Sequence, residues 1–192
     1  MLVVTASAGA AVASASPAAA WEPIGCKYNA SGNSLKWQNV SSSNAYSNPA
    51  EWSIIAWNSS STQIQFTKVS SGANLRITDG NFGNVIFDGV LLDASGVHPD
   101  NDNPLHTCQN GFWSQTNTAW SNRYHTDSYP GAKKQSVIVH EIGHALGLWH
   151  RERPTGPCSD VSVMHGDTGR RYDVCGVNTV TPDDRLGANS LY

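Results

Sequence analysis

A single domain mixing strands and helices, α/β or α+β in class, over residues 21–192 is what this sequence predicts. Three observations point there. Short alternating apolar and polar runs fill the first half, helix-start signatures recur at Asn48-Pro49 and Thr181-Pro182, and Gln135–Trp149 has the length of a buried helix. The chain of 192 residues is long enough for one domain with its own core. Apolar residues make up 39% and charged residues 14%, and seven Trp and six Tyr supply large surfaces to bury, which argues against disorder. A net charge of −3 without a basic run excludes a nucleic-acid footprint.

Leu35–Val40 reads as the first strand. Asn48-Pro49-Ala50-Glu51 marks a helix start, with Asn48 as cap, Pro49 at the first helical position and Glu51 three residues on, and the helix runs to about Asn58. Ile64–Val69 and Asn74–Thr78 read as the next strands, and Asn84–Leu92 as a third candidate. Residues 93–110, rich in Asp, Asn, Pro and His, read as loop. Phe112–Tyr124 is expected to hold an edge strand with a polar outer face. Gln135–Trp149 is the second helix. Thr181-Pro182-Asp183-Asp184 opens a third, which runs to the end of the chain, its acids favoured by the positive end of the helix dipole.

Residues 1–20 differ in kind. Leu2–Ala20 is uncharged and made of small and apolar residues, with an Ala-x-Ala pattern at Ala18 and Ala20 just before Trp21. This reads as a secretory signal peptide, incomplete in that no basic residue precedes Lys27; a disordered Ala-rich tail is the plainer alternative. The run is too weakly hydrophobic for a spanning helix, so a secreted, extracellular monomer without a membrane anchor is expected. Four cysteines, Cys26, Cys108, Cys158 and Cys175, suit two disulfides in an oxidising compartment. Three pairings are open. Cys158–Cys175 with Cys26–Cys108 is favoured, since the first would close a loop after the histidine motif. No Cys-x-x-Cys pair supports a zinc ribbon.

The chemistry is concentrated in HEIGHALGLWH, His140 to His150. Residues four apart share a helix face, so His140 and His144 point at one metal. Glu141, beside the first ligand, reaches an attacking water. Gly147 suits the left-handed conformation that ends a helix and brings His150 back as a third ligand. Three neutral imidazoles leave a fourth position of Zn2+ open, the mark of a catalytic site. A surface helix with solvated histidines is the plain alternative.

With that motif and Ser162-Val163-Met164-His165 downstream, the chain resembles the metzincin clan of metallopeptidases. The resemblance implies a methionine turn, with Met164 packing under the three histidines without ligating zinc. Trp52–Asn58, Ile64–Val69, Ala73–Thr78 and Val180–Gly187 are similar to the matrixin family within that clan. That likeness implies a twisted, mostly parallel five-stranded sheet with one antiparallel edge strand, packed on three helices, with the zinc-binding helix under a cleft. It also implies a zinc endopeptidase acting on proteins or peptides. There are departures. No prodomain or cysteine-switch motif is visible. His165-Gly166-Asp167 lacks the Pro of matrixins, and Gly166 stands where astacins place Tyr. Residues 166–180 therefore cannot be copied from either family.

Weaker signals remain. His98, Asp100, His106 and His125 faintly resemble the second, structural zinc site of matrixins; solvated loop residues are the plainer reading. Asp100-Asn101-Asp102-Asn103 offers oxygen ligands suited to Ca2+ but lacks the Gly and closing Glu of an EF-hand loop. Asn110–Gln115 reads either as an edge strand for substrate backbone or as a plain hairpin. Two rival functions are a catalytically inactive zinc-binding module that recognises proteins, and a zinc hydrolase of a non-protein amide. Glu141 argues against the first, because a pure binder needs no general base.

Overall fold

The computed structural model describes residues 21–93, 96, 108–151 and 156–192. The leader, His98, His106 and the Asp100–Asn103 cluster lie outside the described residues.

Strands β1 (Ser34–Asn39), β2 (Gln65–Lys68), β3 (Leu75–Gly80), β4 (Gly89–Leu92) and β7 (Asn117–Asn122) form one sheet in the order β2-β1-β3-β7-β4. The first three pairings are parallel and β4–β7 is antiparallel. A second, two-stranded sheet joins β5 (Cys108–Gln109) to β6 (Phe112–Trp113). Helices α1 (Asn44–Ser59) and α3 (Gly131–Ala145) pack on each other and on the sheet, with a short α2 (Arg123–Thr126) between β7 and α3. Helix α4 (Pro182–Leu191) closes the chain.

Alternation drives the sheet. In β1, Leu35 and Trp37 turn inward while Ser34 and Lys36 stay exposed. Helix α1 buries Tyr46, Pro49, Ala50, Ser53, Ile54 and Trp57, the three-and-four spacing of one face, and leaves Ile55 exposed. Trp57 is fully buried and its indole N–H donates to Val139 O at 3.1 Å, joining α1 to α3. A Trp that buries 150–250 Å² gains about 4–6 kcal/mol of gross transfer energy. Helix α3 is buried on all sides from Ser136 to Ala145, the environment of a central helix.

Several expected boundaries shift, each for a local reason. Helix α1 starts at Asn44, placing Pro49 inside the helix rather than at its first position. The entry is anchored instead at Ser42, whose backbone N–H and hydroxyl both donate to the buried Asp79 carboxylate. Of Asn84–Leu92 only Gly89–Leu92 is strand. The preceding backbone bonds to a side chain: Asn122 accepts from Phe82 N–H and donates to Gly83 O and Phe87 O. The antiparallel edge strand is β4, with β2 at the other edge; β7, expected at the edge, lies inside the sheet between β3 and β4. Residues 112–113 form the plain hairpin, tied to the back of α3 through Trp113 Nε1 and Ala145 O. Helix α3 begins at Gly131, not Gln135, because Pro130 O accepts from Lys133 and Lys134 N–H, and it ends at Ala145, so Trp149 lies beyond it.

Both favoured disulfides are present, Cys26–Cys108 and Cys158–Cys175. The N-terminal segment is pinned to the turn after α3: Ile24 N–H donates to Gly147 O, and Trp149 N–H to Glu22 O.

Candidate active site

Helix α3 presents His140 and His144 from one face, with their Nε2 atoms 3.0 Å apart. The third histidine arrives after the helix has stopped. Gly147 takes φ +102°, its N–H donates to His144 O at 2.9 Å, and Leu148 N–H donates to Gly143 O at 3.0 Å, the paired bonds of a Schellman ending. A side chain at Gly147 would be strained, and its Cβ would fall 2.8 Å from Cys26 O. The turn carries His150 back until its Nε2 is 3.2 Å from those of both other histidines.

These residues fit a metal. His140 Nδ1 is 2.7 Å from Val163 O and His144 Nδ1 is 2.8 Å from Leu148 O. A carbonyl only accepts, so Nδ1 carries the proton in both rings and Nε2 presents its lone pair. Three converging nitrogen lone pairs repel one another unless a cation lies among them. Nitrogens of a tetrahedral zinc site, at 2.0–2.1 Å from the metal, stand about 3.4 Å apart, close to the spacing here. Burial pushes the pKa of His140 well below its ordinary value, and Arg171, His144 and His150 push the same way, which keeps the ring a neutral ligand.

Ser162–His165 forms the turn beneath. Met164 is buried, and its sulfur occupies the space a Cβ at Gly143 would fill, one residue before His144. The turn is held by Asp184, itself buried at the start of α4. The Asp184 carboxylate accepts from Ser162 Oγ, from Val163 N–H at 3.0 Å and Met164 N–H at 3.3 Å, and from the Thr181 N–H and hydroxyl. Asp184 thereby holds the Val163 peptide whose carbonyl orients His140. Arg151, following His150, donates its N–H to Met164 O and forms an ion pair with Asp183.

Glu141 is buried beside the histidines, and its Oε2 has no hydrogen-bond partner among the described residues. Burial pushes its pKa up to about 8; the Arg171 charge pulls down, Asp88 pushes up, and the Leu91 N–H pulls down by donating to it. Gly89, two residues earlier on β4, makes room for this carboxylate: a Cβ there would fall 2.6 Å from Glu141 Oε1.

A cleft of about 580 Å³ runs over the site between residues 86–90 on one bank and 166–171 on the other, with the histidines and Glu141 at its floor. Residues 169–174 wind as a π-helical turn that drives Arg171 inward. Arg171 is 1% exposed, and it donates from Nε to Ser136 Oγ at 3.0 Å, from Nη2 to Thr168 Oγ1 at 2.8 Å and from Nη1 to His165 O. Nη1 also stands 3.3 Å from His140 Nδ1; both groups carry protons there, so this is a contact and not a bond. Thr168 Oγ1 in turn lies 3.1 Å from Asp88 Oδ1, linking the two banks.

His125, Glu141, Gly89 and Arg171 thus share one cleft, though only Glu141 was expected there. Arg171 sits in an Arg-Arg pair that reads as solvated surface, and nothing in its spacing signals burial. Asp184 was legible only as a helix-start acid. His125 rests with Nε2 2.7 Å from Val85 O, and His165 is buried, its Nδ1 accepting from Asp167 N–H. Among the described residues the three histidines of α3 and its following turn are the one group gathered closely enough to hold a metal.

The sequence model of the matrixin peptidases matches residues 27–192. The chain belongs to the matrixin family. This matrixin is 30% identical to macrophage metalloelastase of Oryctolagus cuniculus over 142 residues, 68% of the chain, and it spans 25% of that relative's length. Among solved structures, that of myroilysin is similar over 88% of the matrixin and 97% of its own chain, with a TM-score of 0.51 at 12% identity, a likeness of fold. The mostly parallel five-stranded sheet with its antiparallel edge strand is the metzincin-like arrangement.

Proposed function

We propose that this matrixin is a secreted, zinc-dependent endopeptidase, its leader at residues 1–20 and its catalytic domain at 21–192. His140, His144 and His150 are the ligands, Glu141 is the general base and Met164 is the structural methionine. The carrying observation is the convergence of three Nε2 atoms within 3.2 Å beside a buried glutamate oxygen that has no partner among the described residues. When bound, zinc supplies Lewis acidity at the substrate carbonyl and brings the pKa of a water to about 7. Glu141 takes the proton of the attacking water and delivers it to the leaving amine. Its pKa falls from about 8 when a cation neighbours it, so the ionised base is available near neutrality. Two disulfides support an oxidising compartment, and among the described residues no helix is long and apolar enough to cross a membrane.

A casein digest with the zinc-loaded protein tests this. Cleavage that stops with a chelator and returns with zinc is expected. Zinc bound without cleavage of any protein or peptide would instead favour the recognition module or the non-protein amide hydrolase.

A further inference from the structure

Resting on the peptidase reading, we propose that Arg171 sets specificity by filling the recess beside Glu141, so that one residue flanking the scissile bond must be small. The recess lies between the Ser136–His140 stretch of α3 and residues 165–171. The cleft beside Glu141 is lined there by Gly166 and Gly169, which carry no side chain, and by Arg171, behind which lies the buried Ser136. Arg171 closes it from below. The guanidinium reaches Ser136, Thr168 and the His165 carbonyl at once, and the side chain is 1% exposed. Ser136 is itself fixed, its hydroxyl donating to Val177 O at 2.7 Å.

Three features keep this plug in place. Leaving would strand a buried cation and break three hydrogen bonds together. Burial of the cation pulls its pKa down, and the nearby charges of Asp88, Glu141, Asp167 and Asp184 oppose that pull, offsetting part of the cost of burying it. The Thr168–Asp88 bond ties the plug's own partner to the opposite bank of the cleft. Gly, Ala or Ser fits beside the plug, whereas Leu or Phe would have to displace it.

The test is a peptide series cleaved by the zinc-loaded protein, with Ala, Leu and Phe exchanged on each side of the mapped cleavage point. The ratio of kcat/KM between peptides is compared in wild type and Arg171→Ala, with zinc content measured on the same samples. Wild type should favour Ala over Leu and Phe at one flank by about tenfold or more, the scale at which a pocket discriminates by size. Arg171→Ala should shift that ratio toward Leu and Phe by about tenfold or more. Wild type accepting Leu or Phe as readily as Ala at both flanks overturns the proposal while leaving the peptidase reading intact, and this result stands even where Arg171→Ala loses zinc. A zinc-loaded Arg171→Ala with an unshifted ratio also overturns it. Cleavage of no peptide at all by wild type overturns the peptidase reading, and this proposal with it.

Discussion

Gly89→Ala is the most economical probe of the site, because it adds one methyl group on the strand facing Glu141, the proposed general base. Gly89 does not have a positive φ, so alanine is sterically allowed there and restricts the unfolded chain, a gain of about 0.4–1 kcal/mol. Against this stands the space. The new Cβ would fall 2.6 Å from Glu141 Oε1, 3.1 Å from Glu141 Cγ and closer still to Val137 Cγ1. Comfortable contact is about 3.5–4.0 Å, so roughly 1 Å of movement is required. Val137 is fully buried and cannot yield. The shift therefore falls on the Glu141 carboxylate and on β4, a four-residue edge strand paired, among the described residues, only with β7. Overpacking of this kind costs about 1–3 kcal/mol, leaving a net loss of about 0–2.6 kcal/mol of stability, about 1 kcal/mol at the middle of both ranges. Activity should suffer more, because β4 also carries the Leu91 N–H that bonds Glu141. A misplacement of about 1 Å costs about 100-fold, or about 2.7 kcal/mol of transition-state stabilisation. The assay is kcat/KM on one peptide, with zinc content and Tm measured on the same preparation. Zinc should stay, since no histidine is touched. Activity within about threefold of wild type would refute the claim that Gly89 is what lets Glu141 stand where it does.

Other substitutions separate the remaining parts. Glu141→Gln should keep its zinc and lose about 10²–10⁴-fold in kcat, the usual worth of general-base catalysis; metal analysis beside single-turnover kinetics checks both, and a loss within tenfold would remove Glu141 as the base. Asp184→Asn places an amide among the N–H and O–H donors of Val163, Met164, Ser162 and Thr181, and should cost about 3 kcal/mol in urea unfolding, because charge-assisted bonds are lost in a buried site. An unchanged midpoint would remove Asp184 as the clamp of the methionine turn. In metal-free protein, Glu141 is protonated up to about pH 8 when folded but ionises near 4.5 when unfolded, so its contribution is intact below pH 4.5 and is lost as pH rises toward 8. Denaturant unfolding with chelator should therefore favour Glu141→Gln over wild type increasingly across that window, by at most about 1.4 kcal/mol per pH unit; parallel stability curves would contradict the burial of this carboxyl.

Periodicity located the strands and helices because alternation and the three-and-four spacing are local properties of the chain. The histidine motif was legible for the same reason: a helix, a glycine turn and a return are all encoded within eleven residues of sequence, His140 to His150. Elements set by distant partners were not legible. The start of α1 depends on Asp79, far along β3, and the loss of strand at 84–88 depends on the Asn122 side chain. The position of β7 inside the sheet follows from β4 returning to its outer side, which no window of sequence reports. Arg171 is the clearest case. Its burial requires Ser136, His165 and Thr168 to meet around one point, and only the folded chain brings α3 and the later turn together.

The pinning of residues 22–24 against the turn after α3 bears on the order in which the molecule assembles. Two of the three histidines are neighbours on a helix and can come together early, by a local event. The third is steered by a stretch whose backbone partners are Glu22 and Ile24 at one end of the chain and Met164 near the other. His150 therefore reaches its place only once residues 22–24 and the segment around Met164 have both docked, the kind of long-range closure that forms slowly. A nascent chain holds two of the three histidines that could grip a metal until the segment around Met164 has emerged and docked, and the three-nitrogen cluster is a late product of folding rather than its seed.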